Sequence, residues 1–265
     1  MAMAPPDAVR WQDDGASSYP SGRASHVRAT VHVPCYDEEE AVENLARRLL
    51  PARDAIEAET PWRLDLLLFD NGSTDRTLER LREAFAGVPR ARVHHSPVNL
   101  NVGGSLRAAL PLTDAEVVVQ LDADCTYDPL LVRELLRALD AGADVAIASP
   151  YHPQGAVEGV PPWRLVLSHT LSRLYRLATR LELYTYTSMV RAYRRRVLEA
   201  ITWQADGFLA TAEIAVRAHQ AGFHLVEVPA VLHVREFGQS KIRVARVARD
   251  HVLFLARLAA ERGQT

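Results

Sequence analysis

The chain is poor in cysteine, has no long apolar run and gathers no block of like charge, and each shortage removes a class of protein. Its 265 residues include only two cysteines, Cys35 and Cys125. Two distant thiols supply neither a disulfide framework nor a zinc-ligand spacing, so a reducing compartment, the cytoplasm, is expected. No stretch approaches the roughly 20 consecutive apolar residues that cross a bilayer, so any membrane contact is expected to be peripheral. Residues 1–28 are rich in Ala, Pro, Ser, Gly and Asp and lack the apolar centre of a secretory signal. They read as a disordered tail. A net charge of -2, with arginines interleaved among glutamates, gives no general attraction to nucleic acid.

What remains is 48% hydrophobic and 24% charged, the balance of one large α/β domain over residues 29–265. Strand-like and helix-like segments alternate. Ala29 to Pro34 reads as a strand, and Glu38 to Ala58 as a helix carrying Val42, Leu45, Leu49 and Leu50. Leu64 to Phe69 is the next strand. It leads through the turn Asp70-Asn71-Gly72-Ser73-Thr74-Asp75 to a helix from Thr77 to about Ala86, which Ser73 or Asp75 is placed to cap. A third strand spans Ala91 to His95, and the loop Asn99 to Ser105 enters a helix running through Leu110. Repeated βα units predict a Rossmann-like, mostly parallel, doubly wound sheet with helices on both faces.

The most informative feature is Asp122-Ala123-Asp124, which ends the apolar run Val117-Val118-Val119-Gln120-Leu121. That run reads as a buried parallel strand. Two carboxylates at its carboxyl end, one residue apart, suit a shared hard cation, Mg²⁺ or Mn²⁺, completed by substrate phosphates. Ligands of doubly wound sheets bind beyond the strand carboxyl ends. The acidic turns at Asp37-Glu38, Asp70-Asn71 and Asp122-Asp124 all fall there. Asp37 or Glu38, together with Asp70, would accept hydrogen bonds from a nucleotide's base and ribose.

The second half is less regular. A helix from Pro129 to Ala141 and a strand from Asp144 to Ser149 precede a Pro- and Gly-rich loop, Pro150 to Pro162, of the kind that serves as a lid. A helix from Trp163 to about Arg180 follows, then Thr187-Ser188-Met189-Val190-Arg191-Ala192-Tyr193, a helix containing Glu213, and a strand from Phe223 to Val228. The end is an amphipathic helix. Arg243, Arg246 and Arg249 on one flank, with Val252, Phe254, Leu255 and Leu258 nearby, form either a solvated face or one suited to an anionic membrane.

Four motifs in order carry a family resemblance from about Val31 to about Arg243. Pro34-Cys35-Tyr36-Asp37-Glu38-Glu39-Glu40 resembles the opening Pro-x-Tyr-Asn-Glu-Glu segment of family 2 glycosyltransferases. Phe69-Asp70-Asn71-Gly72-Ser73-Thr74-Asp75 resembles their Val-Asp-Asp-Gly-Ser-Thr-Asp turn, and Asn99 to Gly104 their Asn-x-Gly-x-Gly-Gly loop. Asp122-Ala123-Asp124 is similar to the Asp-x-Asp of the GT-A fold. Within the family, Ser149-Pro150-Tyr151, Trp163-Arg164 with Ser168, the Thr187–Arg194 segment, Gly207-Phe208-Leu209 with Glu213, and Arg235 to Lys241 resemble the dolichol-phosphate mannosyltransferase group.

The resemblance implies a metal-dependent, inverting transfer of a mannose- or glucose-type hexose from a nucleotide diphosphate sugar, GDP-mannose or UDP-glucose in type, to a polyprenyl or dolichyl phosphate. Pro34, Tyr36, Asp37, Glu38, Asp70, Gly103, Asp122, Arg235 and Lys241 would bind the nucleotide sugar. Asp122 and Asp124 would hold the metal and act in catalysis, and Arg164 and Ser168 would place the acceptor phosphate. With a soluble hydroxyl acceptor, such as a secondary metabolite, a base is required and Glu213 is the candidate. A nucleotide-sugar-binding module without turnover is a third reading. A dinucleotide oxidoreductase lacks its glycine fingerprint in the first βα turn. Pro150 stands where the group has a phosphate-binding arginine, Thr126 where it has Gln, and Asn71 and Asn101 where it has Asp and Gly. His233 reads as structural, and Cys35 and Cys125 as packing residues.

Overall fold

A computed structural model describes residues 27–235 and 244–262. Along them run β1 (Val27–Cys35), α1 (Val42–Glu59), β2 (Trp62–Asn71), α2 (Thr77–Ala84), β3 (Ala91–Ser96), α3 (Asn101–Ala109) and β4 (Val117–Gln120). Then come α4 (Leu131–Asp140), β5 (Val145–Ser149), β6 (Ala156–Val157), α5 (Pro162–Thr179), β7 (Arg191–Arg194) and α6 (Arg195–Ala200). Last are α7 (Leu209–Gln220), β8 (Leu225–Pro229), β9 (Val231–Leu232) and α8 (Val244–Arg262). Seven strands form one sheet in the order β3-β2-β1-β4-β7-β5-β8, and β6 pairs with β9 apart from it. Only β7 runs antiparallel to its neighbours in the large sheet.

Alternate residues of each strand feed two cores. Val31, Val33, Leu66, Leu68, Val117 and Val119 pack with α1, α2 and α4 on one face. Val118, Val145, Ile147 and Tyr193 pack with α3, α5, α6, α7 and α8 on the other. Burial on both faces explains why the strand sequences run apolar without alternation. The chain winds from β1 outward to β3, then returns to place β4 on the other side of β1. That reversal opens a crevice between the ends of β1 and β4, where Tyr36 and Asp122 begin their loops.

Several boundaries differ from the sequence expectation. β1 starts at Val27, so the last two residues assigned to the tail belong to the sheet. α1 starts at Val42 because the backbone of Glu38 and Glu39 is bonded to the turn after β2. Gly103 and Gly104 lie within α3, not in a loop. β7 was not foreseen: its ends are arginines, and Arg191 is fully buried. Residues 1–26 and 236–243, with Lys241 among them, lie outside the described residues.

Two histidines are buried uncharged. His32 packs edge-on to Phe69, and neither ring nitrogen is hydrogen-bonded among the described residues. His251 joins α8 to α5 through a 2.7 Å hydrogen bond between its Nδ1 and the Tyr175 hydroxyl. Burial pushes His32 down to about 3 and His251 down to about 4. Both protonate near pH ~6.5 when unfolded, so below that pH the unfolded chain binds more protons. Stability therefore falls as pH drops from about 6.5 toward about 4. His32→Leu is expected to reduce this acid sensitivity without lowering the melting temperature at neutral pH. An unchanged slope of melting temperature against pH would contradict it.

Candidate active site

The loops after β1 and β2 are built as one unit. Asp37 takes a left-handed backbone, φ 49°, and its N–H donates to Ser73 Oγ at 3.0 Å. Its Oδ1 accepts the Thr74 N–H at 2.7 Å and the Thr74 hydroxyl at 3.1 Å. The Glu38 N–H reaches Thr77 Oγ1 at 2.7 Å, and the Glu39 N–H reaches Asp75 Oδ2 at 3.3 Å. Asp75 Oδ1 accepts the Thr77 N–H at 2.9 Å. Neither capping candidate is the N-cap of α2, which is Arg76 with no side-chain cap bond; Asp75, one residue earlier, accepts the Thr77 N–H, while Ser73 serves Asp37. Asp70 is fully buried, its Oδ2 2.6 Å from His95 Nδ1. Asp70 Oδ1 has no partner among the described residues.

The next loop is tied in by the two residues that depart from the family pattern. Asn71 Oδ1 accepts the Leu100 N–H at 2.8 Å, and Asn71 Nδ2 donates to the Asn101 carbonyl at 3.2 Å. A carboxylate could make only the first of these bonds. Asn101 has φ 57°, a conformation that glycine takes freely and asparagine tolerates. Gly72, at φ +74°, packs so tightly that a Cβ there would lie 2.4 Å from the Val98 carbonyl carbon. Gly103 has a different reason to be glycine: a Cβ would meet the Ala205 carbonyl oxygen at 2.3 Å. Its N–H donates to the Asp206 carbonyl at 2.5 Å and its carbonyl accepts the Trp203 indole N–H.

Asp122 and Asp124 stand at the end of β4. Burial, then the neighbouring Asp124, push the Asp122 carboxyl up to about 8. Thr126 braces both: its N–H donates to Asp124 Oδ1 at 3.1 Å, and its hydroxyl lies 3.5 Å from Asp122 Oδ2. Cys125, immediately after Asp124, is left-handed, φ 54°, and its carbonyl accepts Arg48 Nη1 at 3.0 Å. Arg235 Nε is 3.6 Å from Asp124 Oδ2, and its Nη2 is paired with Glu38. A cavity of about 480 Å³ opens beside Asp124, with Asn44, Arg47, Arg48, Glu158 and His233 in its wall. His233 Nδ1 is 2.9 Å from Glu158 Oε2. Burial raises both thiols, Cys35 and Cys125, which keeps them protonated.

This arrangement fits a hard divalent cation. Two adjacent carboxylates that repel one another, one with raised proton affinity, gain most from a shared positive charge. Among the described residues no group of three His, Cys, Asp or Glu side chains is placed to hold a metal ion. Mg²⁺ or Mn²⁺ on one or two carboxylates is usually completed by phosphate oxygens.

On the far side of β4, Ser168 of α5 lies 3.5 Å from Thr187, hydroxyl to hydroxyl. Arg164 lies in the first turn of α5. Pro150 follows Ser149, whose hydroxyl bonds Thr185 at 2.8 Å. Glu213 is buried, and its Oε2 accepts the Gln204 and Ala205 N–H groups at 3.1 and 2.8 Å. It thus holds the same loop that Gly103 packs against. Arg48, Thr187, Arg191 and Glu227 were missed by the sequence reading, and only Thr187 and Arg191, inside a recognised segment, carried any signal.

The doubly wound sheet, with paired carboxylates at its switch point and the Arg235 guanidinium beside them, is a GT-A fold. The chain belongs to glycosyl transferase family 2, whose model matches residues 30–202. It is 33% identical over 238 residues to a polyprenol monophosphomannose synthase of Mycolicibacterium smegmatis, covering 87% of each chain. It is 26% identical over 219 residues to a dolichol-phosphate mannosyltransferase of Pyrococcus furiosus, covering 82% of this chain and 60% of that one. Among solved structures, a Mycobacterium tuberculosis glucosyl-3-phosphoglycerate synthase crystallised with Mn²⁺, UDP and glucosyl-3-phosphoglycerate superposes with TM-score 0.69 at 20% identity. That match covers 88% and 80% of the two chains. A Pyrobaculum calidifontis mannosyltransferase in complex with GDP-Man and Mn²⁺ gives TM-score 0.61 at 19% identity, covering 92% and 66%.

The Asn71 bridge yields a direct test. Asn71→Asp would set a carboxylate against the Asn101 carbonyl in a buried site, and is expected to destabilise the fold by about 1–3 kcal/mol. Denaturant titration measures it, and a stability equal to the parent chain would show that the second bond contributes nothing.

Proposed function

We propose that this enzyme carries out a metal-dependent, inverting transfer of a hexose from a nucleotide diphosphate sugar to a polyprenyl phosphate. The observation that carries the reading is the Asp122–Asp124 pair at the β1–β4 crevice with Arg235 3.6 Å from Asp124. A Mg²⁺ or Mn²⁺ ion held by the two carboxylates would supply charge stabilisation to the departing diphosphate. Arg235, already inside the site, adds fixed positive charge to the same oxygens, with Lys241 as its expected companion. Asp70, with its unpartnered Oδ1, and Glu38 border the nucleotide side of the crevice, together with Pro34, Tyr36, Asp37 and the Gly103 helix.

A phosphate oxygen of the acceptor forms the new bond to the sugar's anomeric carbon as the bond to the diphosphate breaks, from the opposite face. The nucleophile is already anionic near neutral pH, so the step needs no base. That agrees with Glu213, whose Oε2 is committed to two backbone N–H groups. Arg164 and Ser168 on α5 orient the acceptor. The mycobacterial polyprenol monophosphomannose synthase and the archaeal dolichol-phosphate mannosyltransferase support this acceptor class. Pro150, which offers neither charge nor N–H, favours the second reading, a hydroxyl acceptor.

A lipid acceptor requires the enzyme to reach a membrane surface, yet among the described residues no helix is long and apolar enough to cross one. α5 exposes Trp163, Val166, Leu167, Leu174 and Leu177, and α8 exposes Val252 and Leu253. Arg173, Arg180, Arg246, Arg249 and Arg257 are also exposed on these elements. Apolar side chains set among arginines suit peripheral binding to anionic lipid.

Incubation of a donor panel, GDP-mannose, UDP-glucose and UDP-N-acetylglucosamine, with Mn²⁺ and a short-chain polyprenyl phosphate is expected to yield a lipid-linked sugar. Asp124→Asn should abolish transfer and leave melting unchanged. Donor consumption with no lipid product would move the assignment to a hydroxyl acceptor, and full activity of Asp124→Asn would remove the metal site. Replacing Leu177 and Leu253 by Asp is expected to release the enzyme from anionic vesicles in a flotation assay, with nucleotide binding intact. Retention on the vesicles would assign those helices another role.

A further inference from the structure

The segment Tyr184–Ser188, between α5 and β7, is held by two side chains of opposite charge, the fully buried Arg191 and the partly buried Glu227. Glu227 of β8 accepts the Tyr184 N–H at 2.7 Å on Oε2 and the Thr185 N–H at 2.8 Å on Oε1. Arg191 of β7 donates from Nη2 to the Tyr186 carbonyl at 2.7 Å and from Nε to the Ser188 carbonyl at 2.7 Å. Its remaining arm, Nη1, reaches the Thr211 carbonyl in α7 at 2.6 Å. Arg191 is 0% exposed. A fully desolvated guanidinium whose three arms all end on main-chain carbonyls is an expensive way to hold five residues. Loops are ordinarily fixed by turns and apolar contacts, so the use of one buried and one partly buried charge calls for a reason in the geometry they enforce.

That geometry converges on the acceptor side of the site. Thr185, whose N–H is fixed by Glu227, bonds Ser149 at 2.8 Å at the end of β5, immediately before Pro150. Thr187, between the two carbonyls held by Arg191, lies 3.5 Å from Ser168 of α5, hydroxyl to hydroxyl. Tyr151 and His169 close the same junction, ring centroids 4.5 Å apart. The clamped segment thus touches both the β5 end and α5. Planar guanidinium geometry fixes direction as well as distance, which a lysine would not do.

We propose that Arg191 and Glu227 are positioning residues for the acceptor. They clamp Tyr184–Ser188 so that the Thr187 hydroxyl stands beside Ser168 as a second hydroxyl for the acceptor's phosphate. This rests on the polyprenyl-phosphate reading and assigns Thr187 to it. Two hydroxyls on a rigid wall supply hydrogen bonds to phosphate oxygens where Pro150 supplies none.

The test uses the full chain with GDP-mannose or whichever donor is turned over, Mn²⁺ and a short polyprenyl phosphate. Thr187→Val keeps the segment's backbone and is expected to raise the acceptor KM about tenfold, the loss of roughly one hydrogen bond to a charged group. Nucleotide affinity by calorimetry and the melting temperature should not move. Glu227→Gln retains the shape and one accepting oxygen. It should raise the acceptor KM while leaving nucleotide affinity unchanged, and speed amide exchange at Tyr184 and Thr185. Arg191→Lys should behave likewise, and Thr187→Ser should restore the acceptor KM. An acceptor KM within twofold of the parent in Thr187→Val and Glu227→Gln, or equal losses for donor and acceptor, would overturn the proposal. If the parent enzyme forms no glycosyl phospholipid with any donor, the acceptor reading itself falls; unmoved KM values on an active parent sink only the clamp.

Discussion

Everything in this site is arranged around two carboxylates that the strand before them forces together. β4 is buried on both faces and ends at the reversal of strand order, so Asp122 and Asp124 leave the core one residue apart. Their mutual repulsion, added to desolvation, is what raises the Asp122 carboxyl. The surroundings answer that excess negative charge. Thr126 donates to both, Arg48 fixes the turn through the Cys125 carbonyl, and Arg235 leans on Asp124 from a distant part of the sequence. On the proposed function, a cation and a diphosphate would complete the same balance.

The loops after β1 and β2, on the side proposed for the nucleotide, show how family departures are absorbed. Asn71 and Asn101 look like two separate losses, a carboxylate and a glycine. In three dimensions they form a single bridge, in which the amide of one residue binds the backbone of the other. The donor that asparagine has and aspartate lacks explains the first change, and tolerance of positive φ explains the second. Asp37 and Glu39 are likewise occupied in locking one loop to the next. Their carboxylates set the crevice's shape, which leaves Asp70 and Glu38 nearest to the charge-bearing part of the site.

The side proposed for the acceptor uses a different strategy. Where the loops after β1 and β2 are locked by short polar side chains, Tyr184–Ser188 is held by the long charged side chains of Arg191 and Glu227. Burial raises the Glu227 carboxyl and lowers the Arg191 guanidinium, each offset by main-chain partners. Glu213 follows the same pattern, gripping the 204–205 backbone that seats Gly103. Buried charges bound to backbone recur here as a means of fixing irregular loops beside a doubly wound sheet.

The sequence by itself determined the alternating βα order, the parallel strands β1 to β5 and the carboxylate pair at the end of β4. Each is written in local apolar runs and in turn residues whose preferences do not depend on distant partners. Motif order along the chain also placed Asp70, Arg235 and Ser168 in the family frame. Only the tertiary structure decided that β7 enters the sheet antiparallel, since Arg191 carries the composition of a surface residue and its partners lie on α7 and in the preceding segment. It likewise decided which acids face the site. Asp37, Glu38, Asp75 and Glu213 are indistinguishable as letters, and what separates them is whether a backbone N–H or a guanidinium far along the chain has already taken their oxygens.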